Sequence, residues 1–329
     1  MKSKAALLPL VLTAVMAIAG SASLAQTDAA HYPKRPITVI VPTGAGSAPD
    51  VLVRKIGQGL APALGQPFIV ENRPGGNGTL GADAVARAAP DGYTLLLGFD
   101  STMTINPALY PSLSYDPQRD FTPINAMGRT PFVLVAHPSF PPNTLQEFIA
   151  FAKANPGKIN YGSAGVGSLH QLSMEDLAAH VGIHLVHVPY SGGPAELRDI
   201  VGGQVPIGFI GIAPALPLIK SGQLKALAVQ GKQRFRDLPT VPTVDETLPG
   251  YAIEGSWLGL FGATGTPNAI VDKLSTQINR LLKEKAIEDF LISEGIVPMG
   301  LGPAAFRELI RDDTARYKSI IASTGIHIE

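Results

Sequence analysis

ITVIVPTGAGSAPDVLVR, residues 37–54, joins a short β-branched apolar run to a Gly-rich turn and then to a helical pattern. The run 37–41 has the composition of a strand. Gly44-Ala45-Gly46-Ser47 reads as a tight loop, and Pro49 suits a first helical turn, where its missing N–H costs nothing. Such a junction is where a chain can hold an anion with its own backbone, because free N–H groups and the positive end of the helix dipole meet there. A second stretch, INYGSAGVGSLHQLSMEDL at 159–177, runs in the same order of strand, Gly/Ser loop and helix. Two such loops on separate βα units imply a ligand held between two lobes.

The pattern alternates outward from these junctions. Strand-like runs fall at 37–41, 68–71, 94–98, 132–136, 159–162, 185–188, 207–210, 226–229 and 259–263. Helical stretches lie between many of them, at 49–64, 78–88, 145–155, 168–180 and 194–202. Alternating elements of this length predict an α/β chain with mainly parallel sheets and helices on both faces. Residues 267–320 read as mostly helical, with Ile270, Leu274, Ile278 and Leu281 at near-helical spacing.

Lys2 and Lys4, an apolar stretch from Ala5 to Ala19 and the small-residue exit Gly20–Ala25 form a secretory signal peptide, residues 1–25. The expected product is periplasmic, and its length of about 300 residues suffices for two α/β domains. Lys plus Arg and Asp plus Glu both number 26 and only 16% of residues are charged, so nothing points to nucleic acid or an anionic membrane surface. The chain has no Cys, which excludes disulfides, thiolate metal sites and a lipoprotein anchor.

Several chemistries fit these residues poorly. Gly44-Ala45-Gly46-Ser47-Ala48-Pro49 approaches a dinucleotide fingerprint, with Glu71 at the ribose position, but Pro49 replaces the third Gly that close helix–strand packing needs. A hydrolase using Ser163 or Ser168 with His170 as base is the competing class. Tyr161 stands where a nucleophile elbow needs Gly before Ser163, and His170 lies only two residues from Ser168 on a helix, so the two side chains diverge. His180, His184 and His187 have no metal-ligand spacing, since Gly182 breaks the helix between the first and the others. Trp257 and Phe261 read as core. No cofactor is expected.

The ordered motifs resemble the substrate-binding receptors of the tripartite tricarboxylate transporters, the Bug family. They are Tyr32-Pro33 with Arg35-Pro36, ITVIVP with its loop ending in Asp50, ENRPGGNGTLGADAVARAAPDGYTLLLG at 71–98, INPALY at 105–110, YGSAGVGS at 161–168, VPYSGGPAELRDIVGGQV at 188–205, LKALAVQGKQRFRDLPTVPTVDE at 224–246 and Gly265-Thr266-Pro267. The resemblance implies a type II periplasmic-binding-protein fold, a Venus flytrap of two α/β lobes with a two-strand hinge. One lobe comprises 34–127 and 229–329, the other 128–228. It implies a monomeric, non-enzymatic receptor for a small organic carboxylate, serving a membrane permease or a sensor. Its ligand site maps to Gly46, Ser47, Ala48, Pro49 and Asp50 in the first loop and Ser163, Ala164, Gly165 and Ser168 in the second. Ser101, Asn106 and Tyr190 complete the cleft.

This chain departs from the family pattern at Thr43, Ser47 and Pro49, which bear on ligand choice. Gln171 stands where the family commonly has His, with His170 beside it, and Pro206 stands where Asp is common.

Overall fold

The computed structural model describes residues 31–110 and 112–326. The expected signal peptide therefore lies outside the described residues. Eleven strands form two sheets among these residues. β1 (Ile37–Val41), β2 (Phe68–Asn72), β3 (Thr94–Phe99), β4 (Phe121–Thr130), β10 (Ser256–Ala263) and β11 (Val297–Leu301) make a six-stranded sheet in the order β11-β4-β10-β3-β1-β2. β5 (Phe132–Ala136), β6 (Asn160–Ser163), β7 (Val186–Pro189), β8 (Ile207–Gly211) and β9 (Lys225–Val229) make a five-stranded sheet in the order β7-β6-β8-β5-β9.

The helices are α1 (Ala48–Leu64), α2 (Thr79–Ala86), α3 (Asn106–Leu109), α4 (Leu145–Ala154), α5 (Leu169–Val181), α6 (Gly193–Val201), α7 (Ile212–Lys220), α8 (Val244–Thr247), α9 (Asn268–Leu281), α10 (Lys285–Ser293) and α11 (Pro303–Thr324). None is long and apolar enough to cross a membrane. In α1, Leu52, Val53, Ile56 and Leu60 are buried at helical spacing and share a core with Leu274, Ile278 and Leu281 of α9. Burying each such side chain is worth about 1.5–3 kcal/mol, so this stripe fixes how α1 lies on β1 and hence where its N-terminus points.

Both sheets are mixed, a correction to the expectation of mainly parallel ones. β1 pairs in parallel with β2 and β3, and β6 with β7 and β8. Antiparallel pairs join β3, β10, β4 and β11 in one sheet and β8, β5 and β9 in the other. The reason is topological. β5 and β10 are the first strands after the chain changes sheet, so no helical crossover within one sheet precedes them to enforce a parallel entry.

The chain leaves the first sheet at Thr130 and enters the second at Phe132, with Pro131 between. After β9 it stays with the second sheet, because Phe235, Leu238 and Val241 pack in one of its cores, and Val244, Tyr251 and Ile253 in the other. Residues 229–253 therefore lie with the five-stranded sheet, whereas the sequence reading placed them with the first lobe. The run LKALAV ends in a strand, but the apolar residues after it are too irregularly spaced to reveal which core they enter. α11 touches both sides: Phe306 and Ile310 belong to a core of the first sheet, and Tyr317, Ile320 and Ile321 to one of the second.

Candidate functional site

The N-termini of α1 and α5, one beside each sheet, face a common cavity of about 460 Å³. Ala48, Pro49, Ala164 and Ser168 line it, as does Ser101 from the segment after β3. A larger groove of about 880 Å³ lies on the other side of the crossing strands. Most of its basic residues are already paired, Arg129 and Lys232 with Glu254, Arg234 with Glu246 and Arg236 with Asp289. The Gly/Ser loops open onto the smaller cavity.

The first loop is held from within by a carboxylate. Asp50 is 3% exposed and does not line the cavity. Its oxygens accept the Gly46 N–H at 2.9 Å, Arg54 Nε at 3.0 Å and Asn72 Nδ2 at 2.9 Å, while the same Asn72 amide donates to the Thr43 carbonyl. Burial pushes the Asp50 carboxyl upward, but the Arg54, Gly46 and Asn72 hydrogen bonds outweigh it and hold the group below its usual range. Gly46 thus spends its N–H on Asp50. Its φ of +79° is the left-handed conformation that the turn requires. Ser47 precedes the helix without capping it, since its Oγ bonds Thr43 Oγ1 at 2.7 Å.

The second loop uses neutral groups. Ser168 caps α5, its Oγ accepting from the Gln171 N–H and donating to the Gly165 carbonyl at 2.7 Å. Gln171 Oε1 in turn accepts the Gly167 N–H at 2.8 Å. Ser163 is fully buried behind the loop, with His187 Nε2 at 2.6 Å and the Gly165 N–H on its Oγ. Burial lowers the His187 pKa. The Tyr190 N–H donates to the Ser163 carbonyl, which ties the next turn to this loop, but Tyr190 does not line the cavity.

Of the sequence-derived residues, Ala48, Pro49, Ser101, Ala164 and Ser168 thus meet at one cavity. Gly46, Ser47, Asp50, Ser163, Gly165 and Tyr190 stand behind or beside it. Asn106 is buried and bonded to Asn77 through Asn77 Nδ2 at 2.8 Å and the Asn77 carbonyl at 3.1 Å. It positions Asn77, which does line the cavity in the left-handed conformation at φ 51°.

Three features escaped the sequence reading. Asn77 and its flanking glycines contribute a third loop, visible in the chain only as GGNG. His170, treated there as a rival catalytic base, lines the cavity with its ring edge-on to Phe132 at 4.7 Å. Its Nδ1 stands 2.6 Å from Oε2 of Glu196, which is completely buried. Gly162 and Gly208 make that burial feasible: a Cβ at either would come within 2.9 Å of the Glu196 side chain. Burial raises the Glu196 pKa and His170 opposes the rise. Asp100, at the end of β3, is the third. No spacing rule marks these residues, because the contacts span different elements. The acid in GPAELRD sits in a helical first turn, where a solvated Glu is equally ordinary.

Two mixed α/β sheets joined by crossing segments, with helix N-termini from both sides facing one cavity, define a solute-binding protein of the periplasmic binding type. The chain matches the tripartite tricarboxylate transporter family receptor, TctC, over residues 52–326. It belongs to that family. It is 33% identical over 313 residues to BugT of Bordetella pertussis, covering 95% of this chain and 96% of that one. Among solved structures, an R. palustris protein with adipate is 31% identical, covers 90% of this chain and 99% of its own, and superposes with a TM-score of 0.80. MatC from Rhodopseudomonas palustris with bound malate is 35% identical, with 88% and 100% covered and a TM-score of 0.74.

Proposed function

We propose that this protein is a periplasmic receptor that closes two α/β lobes on a small organic carboxylate and hands it to a membrane permease of the tripartite tricarboxylate type. The observation that carries the reading is the convergence of the α1 and α5 N-termini on one cavity whose lining contains no Lys or Arg. An anion there is held by backbone N–H groups, helix dipoles and hydroxyls. Each helix terminus contributes up to about 2 kcal/mol in a partly buried setting. Charge-assisted hydrogen bonds add about 1.5–3 kcal/mol each before the costs of ordering. Micromolar binding, about −8 kcal/mol, lies within that range. The adipate and malate in the related structures support the ligand class.

In this reading one lobe comprises the six-stranded sheet and the other residues 131–253, with Thr130–Phe132 and Glu254–Ser256 as the hinge. Ligand drives closure only through its better fit to the closed form. The N-terminal 25 residues act as the export signal. The protein releases its ligand unchanged, as its substrate-binding relatives imply, and the buried Ser163 is inaccessible as a nucleophile. Thermal-shift screening of the mature protein against mono- and dicarboxylates, followed by calorimetry with the matching methyl esters, tests the site. The acid is expected to bind at least tenfold more tightly than its ester. Equal affinity for both would remove the carboxylate from the centre of the site.

A further inference from the structure

Asp100 lies in the wall of the cavity and is 1% exposed. Its Oδ1 accepts the Ser101 N–H at 2.8 Å and the Ser256 hydroxyl at 2.7 Å, while its Oδ2 has no partner. Ser256 also lines the cavity and is the first residue of β10, directly after the chain returns to the six-stranded sheet. A buried carboxylate oxygen without a donor is costly, whereas a carboxylic acid at the same place has a proton to give.

The surrounding charges act on this group from several elements. Asp313 on α11 disfavours its ionised form and Arg129 on β4 favours it, and burial outweighs both. Tyr317 of α11 also feels the Asp100 charge. Arg129 is itself engaged by Glu254, and Asp313 by Arg316 and the Trp257 N–H. From the other lobe, His170 lines the same cavity, backed by Glu196. The balance pushes the Asp100 carboxyl up to about 7.

We propose that Asp100 serves as a neutral carboxylic acid that donates from Oδ2 to an oxygen at the end of the ligand away from the two helix N-termini. This rests on the carboxylate-receptor reading and sharpens it. The receptor selects acids that carry a second oxygen function, a further carboxylate above all, over plain monocarboxylates of the same length. The anchor is Asp100 with Ser256 beside it, on the hinge side of the cavity. Above neutrality Asp100 ionises, its donor is lost and its charge opposes the anion, so binding weakens as pH rises.

Calorimetry on the mature protein from pH 5.5 to 8.5 tests this, with adipate against hexanoate and malate against butyrate as probes. The diacid of each pair is expected to bind at least tenfold tighter at pH 6, and its affinity to fall severalfold per pH unit above about 7. Asp100→Asn keeps an acceptor for Ser101 and Ser256 and presents an amide donor in place of the acid. It is expected to bind the diacid about threefold more weakly at pH 6 and to lose the pH dependence. Asp100→Leu should abolish the diacid preference. Its failure to fold would leave the Asp100→Asn pH profile as the deciding measurement. Equal affinity for diacid and monoacid, or a pH dependence that survives in Asp100→Asn and so belongs to His170 or Glu196, would overturn the role of Asp100 alone. Tighter binding of an amino acid as pH rises would overturn it too, since an ionised Asp100 would then be pairing with an ammonium. Binding of none of these acids would instead overturn the carboxylate reading, and this proposal with it.

Discussion

The two loop–helix junctions that face the cavity have the same order of strand, small residues and helix, yet they are built on opposite principles. Residues 42–50 are organised by a buried, ionised carboxylate: Asp50 gathers Gly46, Arg54 and Asn72, and the serine before the helix caps nothing. Residues 163–171 are organised without charge, by the Ser168 cap and the Gln171 side chain. A negative charge behind an anion site is tolerable only when it is fully engaged. Asp50 meets that condition through three donors, one of them the Arg54 guanidinium. The comparison teaches that a backbone anion cradle can be held rigid by either device, with different exposure to pH and salt.

The largest effect is expected at Asp50. Asp50→Ala leaves the Gly46 N–H, Arg54 and Asn72 without their common acceptor and should cost about 3 kcal/mol of stability in chemical denaturation, with weaker binding of every carboxylate. Asp50→Asn keeps the shape and removes the charge. Because the folded-state pKa is depressed, the stability that Asp50 contributes is present above the ordinary carboxyl pKa near 4 and is lost as pH falls through the folded value. The acid limb of the stability profile should therefore be shallower in Asp50→Asn than in the wild type. Variants at the neutral second loop should leave that limb unchanged.

A smaller difference separates the turn glycines. Gly165 has φ +125° and a Cβ there would meet the Tyr190 carbonyl at 3.2 Å, whereas Gly46 has φ +79° and open space around it. Gly165→Ala should cost about 2 kcal/mol and Gly46→Ala about 1 kcal/mol in melting experiments, the first through strain plus contact and the second through strain alone. Equal costs would mean that the second loop relaxes more readily than its hydrogen bonds suggest.

The smallest effect is expected at Ser168. Ser168→Ala removes the cap and a cavity hydroxyl, for about 1 kcal/mol of stability and a measurable loss of affinity. Ser47→Ala, at the matching place in the first loop, removes no cap and should be closer to neutral in stability. A reversal of that order would show that the two junctions are more alike than their hydrogen bonds indicate.

Local chemistry was enough to make the two junctions, most helices and most strands legible. Small residues, Pro49 and Ser168 act within a few residues of themselves, and the stripe Ile270, Leu274, Ile278 and Leu281 is a periodic signal that any helix must satisfy. β4 was not legible. FTPINAMGRT carries Pro123 and little alternation, and it becomes a strand because β10 and β11 pair with its two edges, with one register shift beside Pro123 and the others between Ala126 and Gly128. β11 was hidden in the same way within a stretch that reads as helix. The mixed sheets follow from where the chain changes sides, which no local signal records.

The site divides along the same line. The sequence by itself determined that two Gly/Ser loops precede helices and that Ser168 caps one of them, because capping and turn formation are short-range. The order of its motifs carried the family. Only the tertiary structure decided that Asp50 faces away from the cavity into a clamp, that Asn106 serves Asn77, that His170 is backed by a buried Glu196, and that Asp100 stands in the cavity wall with one oxygen unpartnered. Each of those depends on a hydrogen bond or a burial between residues distant in the chain. A titratable side chain takes its chemistry from its neighbours in space, and packing chooses those neighbours.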